Sequence, residues 1–339
     1  MTSAAVDAAG PAESARRTHD QCLDAFRDAI GRTSKLWRGI EDPNVPTRRL
    51  DSTAAEIAAH IVGDLRDYTQ ALTRYANGYM THANPPMGSP WKLSAKVNAR
   101  HLEEIPERDM RRLADMLEKA ALAYVAAASS ADPSVVIATP NGLMIAPSTM
   151  TCLLLGEQVV RGLDVARSVG VPWTIADADA HLVIPGMLNI APDYVRTSRA
   201  LGVRVSYELR MRGGRRFRIA FADGTATVTA AGERADCVIT ADPVAFLLLV
   251  FGRITQWPLI FRGRLRARGR KPLMALRFGS LLVTPWPVTP SRRDASALPH
   301  CARGVRGCRH RAGQAPARTH PRRASAAPSG RPPGGRPTC

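Results

Sequence analysis

Apolar residues recur at helical spacing from about Glu13, with Leu23, Phe26, Ile30 and Trp37 on one face, and this predicts a helix to Ile40. Asp42-Pro43-Asn44 and Pro46 break it. Asp51 or Ser52 is placed to cap a second helix, with Glu56 near capping-box distance. Its stripe runs Ile57, Ile61, Leu65, Tyr68, Leu72, Tyr75 and Tyr79, with His60 beside the stripe and Asp64 one turn on. Residues 81–98 hold Pro85, Pro86, Gly88, Pro90 and Trp91, and read as a long connection of the kind that often carries function. A third helix is expected over 99–129, carrying Met110, Leu113, Leu117, Ala120 and Tyr124. Asn141-Gly142 between two apolar runs predicts a hairpin. A fourth helix follows from Thr151 to Gly170, where glycine is a natural left-handed stop and Pro172 cannot continue the helix.

This fourth helix is apolar around most of its circumference, as in a helix buried inside a bundle. One polar line interrupts it. Glu157, Arg161, Asp164 and Ser168 follow at i+4, i+3 and i+4, so their side chains stack on one face. The line is either a solvated stripe or an inward-facing site.

The period then changes. A short helix around Ala176–Leu188 and a linker precede Val203, Val205, Tyr207, Leu209 and Met211, which alternate as in a half-buried strand. Gly213-Gly214 turns the chain, Phe217, Ile219 and Phe221 alternate again, and Asp223-Gly224 turns it once more. Ala226–Thr229 and Cys237–Thr240 read as two further strands. Asp242-Pro243 opens a helix through Phe251, residues 259–269 form a basic strand or loop, and Pro272 opens a last helix to about Leu281. The predicted fold class is α plus α+β. A four-helix bundle (13–175) is followed by a linker with a short helix (176–201) and a small antiparallel sheet with helices on one face (202–285). Disorder is expected for residues 1–12 and for 286–339.

Charge sharpens the last boundary. The 339 residues carry +18, but 291–339 hold 11 Arg, no Lys and one Asp, which leaves +8 for the rest. Residues 286–339 lack Ile, Phe, Tyr, Met, Lys, Asn and Glu, so they cannot bury enough apolar surface to fold. Their arginines would hold nucleic acid only without specificity. His300-Cys301 and Cys308-Arg-His310 fit no zinc spacing. The abrupt change after Pro290 also fits an altered reading frame, which resequencing the gene end would test. No signal peptide and no membrane span are expected, because the longest apolar run, Val244 to Phe251, falls far short of the ~20 residues a bilayer requires. Cys22, Cys152 and Cys237 have no paired spacing and read as buried free thiols of a reducing cytoplasm.

The stretches Thr53-Ala-Ala-Glu-Ile-Ala-Ala-His60 and Gly156-Glu-Gln-Val-Val-Arg-Gly-Leu-Asp through Trp173 resemble the mycothiol-dependent maleylpyruvate isomerase family of DinB-like bundles. Ala241-Asp-Pro through Phe251-Gly-Arg253, with Phe261-Arg-Gly-Arg-Leu-Arg-Ala-Arg-Gly269, resembles the sterol carrier protein type 2 fold. Together the resemblance covers about residues 13–285. It implies zinc or another divalent metal held by a His on the second helix and a Glu-x-x-x-His pair on the fourth. His60 and Glu157 match the first two ligands, whereas Arg161 stands where the pattern has His. Arginine has no lone pair to give. Four readings follow for this cluster: an intact metal site; an ordinary i,i+4 ion pair; Arg161 filling the metal cavity against Glu157; or His60 and Glu157 joined by Asp64 or Asp164 around a metal. The resemblance further implies mycothiol as thiol cosubstrate, an anionic substrate, and isomerase or transferase chemistry. The catalytic residues are not identified by the sequence. The alternative is a metal-free binding or scaffold protein, monomeric or dimeric, that takes a lipid or acyl chain in its C-terminal domain. Arg262, Arg264, Arg266, Arg268 and Arg270 alternate, which would make a basic stripe able to attract anions.

Overall fold

The computed structural model describes residues 11–47, 50–79, 90–232 and 234–284. The chain opens with α1 (Pro11–Arg38), then α2 (Ala54–Ala76), α3 (Pro90–Glu104) and α4 (Met110–Ser130). A hairpin of β1 (Ile137–Ala138) and β2 (Met144–Ile145) leads into α5 (Pro147–Val169). Helices α1, α2, α4 and α5 form the expected four-helix bundle around Phe26, Trp37, Leu65, Leu117, Tyr124 and Val160.

Three local signals act somewhat differently from the expectation. The cap of α2 is Thr53, one residue past the anticipated pair. Its hydroxyl accepts from the Glu56 amide while Glu56 returns a bond to the Thr53 amide. The long third helix is two helices, because Ile105-Pro106 disfavours helical geometry just before the proline. Residues 90–98, expected to be loop, are therefore the first part of α3. The stripe on α2 is buried through Leu72, but Tyr75 lies in the last turn and Tyr79 beyond the helix end, and both are exposed.

Helix α5 is the centre of the molecule. Nearly every residue from Pro147 to Ala166 is buried, and Gly170 ends the helix in the left-handed region (φ 73°). It starts a turn earlier than expected, with Pro147 at its first position, where a missing N–H costs nothing. The polar line therefore faces inward, settling the choice left open by the sequence.

After α5 come α6 (Asp177–Ile190), a short 3₁₀ turn and α7 (Thr197–Ala200). The sheet consists of β3 (Arg204–Met211), β4 (Arg216–Ala222), β5 (Thr225–Ala230), β6 (Cys237–Ala241) and, after α8 (Pro243–Val250) and α9 (Gln256–Phe261), β7 (Leu265–Gly269). A last short helix, α10 (Ala275–Phe278), is flanked by 3₁₀ turns. The strand order is β5-β4-β3-β6-β7. An antiparallel sheet was expected, but it is mixed: β6 pairs β3 in parallel, because the chain crosses from the β5 edge to the far side of β3. Helices cover one face only. Ile184, Leu188, Phe246 and Phe278 pack on Tyr207, Leu209, Phe221 and Ile239 in a second core.

Helices α6 and α8 serve both cores. Val183, Met187 and Ile190 of α6 pack into the bundle core while Ile184 and Leu188 pack into the sheet core. Leu247 and Phe246 of α8 divide in the same way. The segment read as a linker is thus a shared wall. No helix among the described residues is long and apolar enough to cross a membrane. The expectations for residues 1–10 and 285–339, including His300, Cys301, Cys308 and His310, lie outside the described residues.

Candidate functional site

A cavity of about 60 Å³ opens into the bundle where five segments meet. His60, Asp64 and Tyr68 reach it from α2, Ser94 and Asn98 from α3, Asn141 and Leu143 from the hairpin, Leu153, Leu154 and Glu157 from α5, and Ile190 and Tyr194 from the α6 end. Helical spacing of four residues puts His60 and Asp64 on one face of α2, and His60 Nε2 lies 3.3 Å from Asp64 Oδ2.

The structure places the expected residues unevenly. Glu157 and Arg161 are buried at 4% and 7% exposure, and Arg161 Nε donates to Glu157 Oε2 at 2.9 Å. The other oxygen, Glu157 Oε1, is buried with no hydrogen-bond partner among the described residues. Burial works against the Arg161 charge, but attraction from Glu157, the hydrogen bond to it, and the charges of Asp164 and Asp64 outweigh this, so the Arg161 pKa rises. A guanidinium that stays charged and has no lone pair cannot complete a His60–Glu157 metal set. As it stands, this trio does not fit the metal that the resemblance implies.

Asp164 does not join the cavity. Arg253, which follows α8, donates to it from Nε at 2.9 Å and from Nη2 at 2.6 Å, and Arg253 is only 1% exposed. Sequence reading did not assign Arg253 a role. Its only local signal is a single charge directly after an apolar helix and Gly252.

His101 was also missed. It stands on α3 at 1% exposure, with Nδ1 3.2 Å from His60 Nδ1 and 3.9 Å from Asp64 Oδ1. Its Nε2 is 3.0 Å from Asp67 Oδ2, and Arg100 Nη2 donates to the same oxygen at 2.5 Å. Gly63 makes room for the ring, since a Cβ there would sit 2.3 Å from His101 Cγ. The pairing of His101 with Gly63 joins α3 to α2 and leaves no local signal in the sequence. Burial, then the Arg161 and His101 charges, hold the His60 pKa well below its usual value. Burial, then Glu157 and Asp67, push the Asp64 carboxyl well above its own. Burial pushes the Tyr194 hydroxyl up to about 12.

Two further features lie elsewhere. An apolar cavity of about 120 Å³ sits between sheet and helices, walled by Met187, Ile239, Phe246, Leu249, Leu265 and Phe278. Of the anticipated arginine stripe, only Arg266 and Arg268 share an outward face of β7. Arg262 ends α9, Arg264 lies in the following turn, and Arg270 pairs with Asp236. Across the sheet Arg266 faces Thr240, which faces Arg210, which faces Arg216, so the basic face spans strands rather than following one. The three body cysteines are free and buried as expected, but the bundle brings Cys22 and Cys152 to 3.6 Å between sulfurs.

Residues 195–282 match the model of the SCP-2 sterol transfer family. The crystal structure of the mycothiol-dependent maleylpyruvate isomerase is similar over 74% of this chain and 92% of that one, at 13% identity and a TM-score of 0.45. A stereoselective inverting sec-alkylsulfatase from Pseudomonas sp. is similar over 64% of this chain and 33% of that one, at 13% identity and a TM-score of 0.28. Such distant likenesses carry no argument about activity. No curated protein matches the chain in sequence. The C-terminal part of the resemblance read from the sequence thus has a counterpart in the family match at residues 195–282.

Proposed function

We propose that the protein binds an apolar chain, a lipid or acyl group, in its C-terminal domain. The observation that carries this is the apolar cavity inside the segment that matches a sterol transfer family. Its walls are aliphatic and aromatic, with Gln256 and Thr284 among the few polar side chains at hand. At about 120 Å³ it is smaller than the roughly 300 Å³ at the low end of drug-sized sites, so it suits a single acyl chain better than a fused-ring sterol. Trp257 and Phe261 are exposed on α9 beside the cavity-lining Gln256, which offers an apolar approach. Titration with a fluorescent fatty acid and with a fluorescent sterol tests this. The fatty acid should bind more tightly, and Ala275→Trp, which fills the cavity, should weaken it about tenfold or more. Binding untouched by Ala275→Trp would place the ligand elsewhere.

A second reading rests on the polar cavity of the bundle. His60, Asp64 and the unpaired Glu157 Oε1 meet there, an arrangement suited to acid–base work on a small polar substrate. Under this reading the chain is a thiol-dependent isomerase or transferase that uses mycothiol, and Arg161 has closed the ligand position next to Glu157. Its test is the isomerisation of maleylpyruvate with and without mycothiol. Turnover that requires the thiol and falls in His60→Ala supports the reading, and absence of turnover removes it.

A further inference from the structure

We propose that His60, Asp64 and His101 form a three-ligand site for a first-row divalent metal ion, assembled from α2 and α3 without any residue of α5. Ligand atoms of these three side chains all lie within 4.8 Å of one another. The two Nδ1 atoms are 3.2 Å apart. Two nitrogens bound tetrahedrally to one ion at ordinary zinc–nitrogen distances are about 3.3 Å apart.

The hydrogen bonds around the pair point the same way. Asp67 lies at His101 Nε2, so the proton of the neutral ring belongs there and Nδ1 keeps its lone pair. Asp64 Oδ2 lies 3.3 Å from His60 Nε2 without a hydrogen bond between them, so the His60 ring is free to turn its Nδ1 lone pair to an ion. In the neutral pair His60 Nδ1–H donates to His101 Nδ1 at 3.2 Å, and a divalent ion takes the place of that single proton. The ion also recruits Asp64 Oδ1, 3.9 Å from His101 Nδ1.

The surroundings look built for the rings. Asp67 supports His101 as outer carboxylates support metal-bound histidines, and Arg100 fixes Asp67 in turn. Gly63 leaves the notch that His101 fills. Two imidazoles and one carboxylate suit zinc, cobalt, iron or manganese, and the adjoining cavity leaves positions open for an outside ligand. Glu157 would then face that outside ligand rather than the ion. The site depends neither on the C-terminal cavity nor on a thiol cosubstrate.

The test is titration of the chelator-treated full-length protein with Zn²⁺ by calorimetry and with Co²⁺ by visible absorption. One ion per chain should bind, with d–d bands of low-symmetry nitrogen and oxygen coordination. His101→Ala and Asp64→Asn should each lower affinity on the order of 100-fold, Asp67→Asn about tenfold, and Glu157→Gln by less than a factor of three. Circular dichroism of each variant establishes that it folds, and the more exposed Asp64 keeps the test open should His101→Ala unfold. Absence of stoichiometric binding overturns the proposal. So does binding that Glu157→Gln abolishes and His101→Ala spares, which would put the ion on His60 and Glu157.

Discussion

Helix α5 carries two buried acid–base pairs one to two turns apart, and they are built differently. Asp164 is clamped: both carboxylate oxygens accept from Arg253, whose Nη1 also donates to the Phe251 carbonyl. Glu157 is held on one side only, by Arg161 Nε, and its second oxygen lacks a partner. The clamp joins the bundle to the segment after α8 and does not line the polar cavity, whereas Glu157 does. Buried charge that is fully paired fixes position. Buried charge that is half paired, beside a cavity, is ready to meet a ligand.

The sharpest way to break this comparison is to cut the clamp. Asp164→Ala removes the carboxylate that holds the buried Arg253 guanidinium at Nε and Nη2, and should cost about 3–5 kcal/mol in urea unfolding. Replacing both partners, Asp164→Leu with Arg253→Met, should recover most of that loss, because the penalty belongs to the buried ion left behind rather than to the pair. Arg161→Met should cost less, about 1–3 kcal/mol, since the Glu157 it strands lies against a polar cavity where water reaches. Equal losses at the two sites would show that pairing, and not access to the cavity, sets the cost.

The smallest effect belongs to an exposed counterpart. Glu118 accepts from Arg38 at 2.6 Å and from the Ser34 hydroxyl, and these contacts hold its carboxyl down at about 2 against an ordinary 4.5. A depressed carboxylate adds stability that is complete above pH 4.5 and disappears as the pH falls through about 2. Solvent screens this pair, so the gain should stay below about 1 kcal/mol. Unfolding midpoints followed down the acid range should fall slightly less in Glu118→Gln than in the natural protein. A larger difference would mean that surface pairs matter here as much as buried ones.

Much of the fold was legible because it rests on local patterns. The stripes of α1, α2 and α5, the Asn141-Gly142 turn and the alternation of β3 and β4 each state a period and a stop. The parallel pairing of β6 with β3 was not legible, since alternation says which face is buried and nothing about direction. In the site, the resemblance pointed to His60 and Glu157, and helical spacing to Asp64 one turn from His60; the structure brings all three to one cavity. His101 already lies within the helix expected over 99–129, but its partners His60 and Asp67 lie 41 and 34 positions away on α2, a contact that no local pattern encodes.

The sequence by itself determined most of the helices, the switch to a sheet and the single face shared by Glu157, Arg161 and Asp164, because these depend on neighbours within a few residues, whereas packing turned that face inward. Tertiary structure decided the partners. Arg253 reaches Asp164 across 89 positions, and His101 reaches His60 across 41. Pairing over such distances is set by how α8 packs on α5 and α3 on α2. Space decided it too: the missing Cβ of Gly63 admits one imidazole, and the position of Arg161 governs what Glu157 can bind. A periodic pattern shows that a side chain points inward, and only packing shows what it meets there.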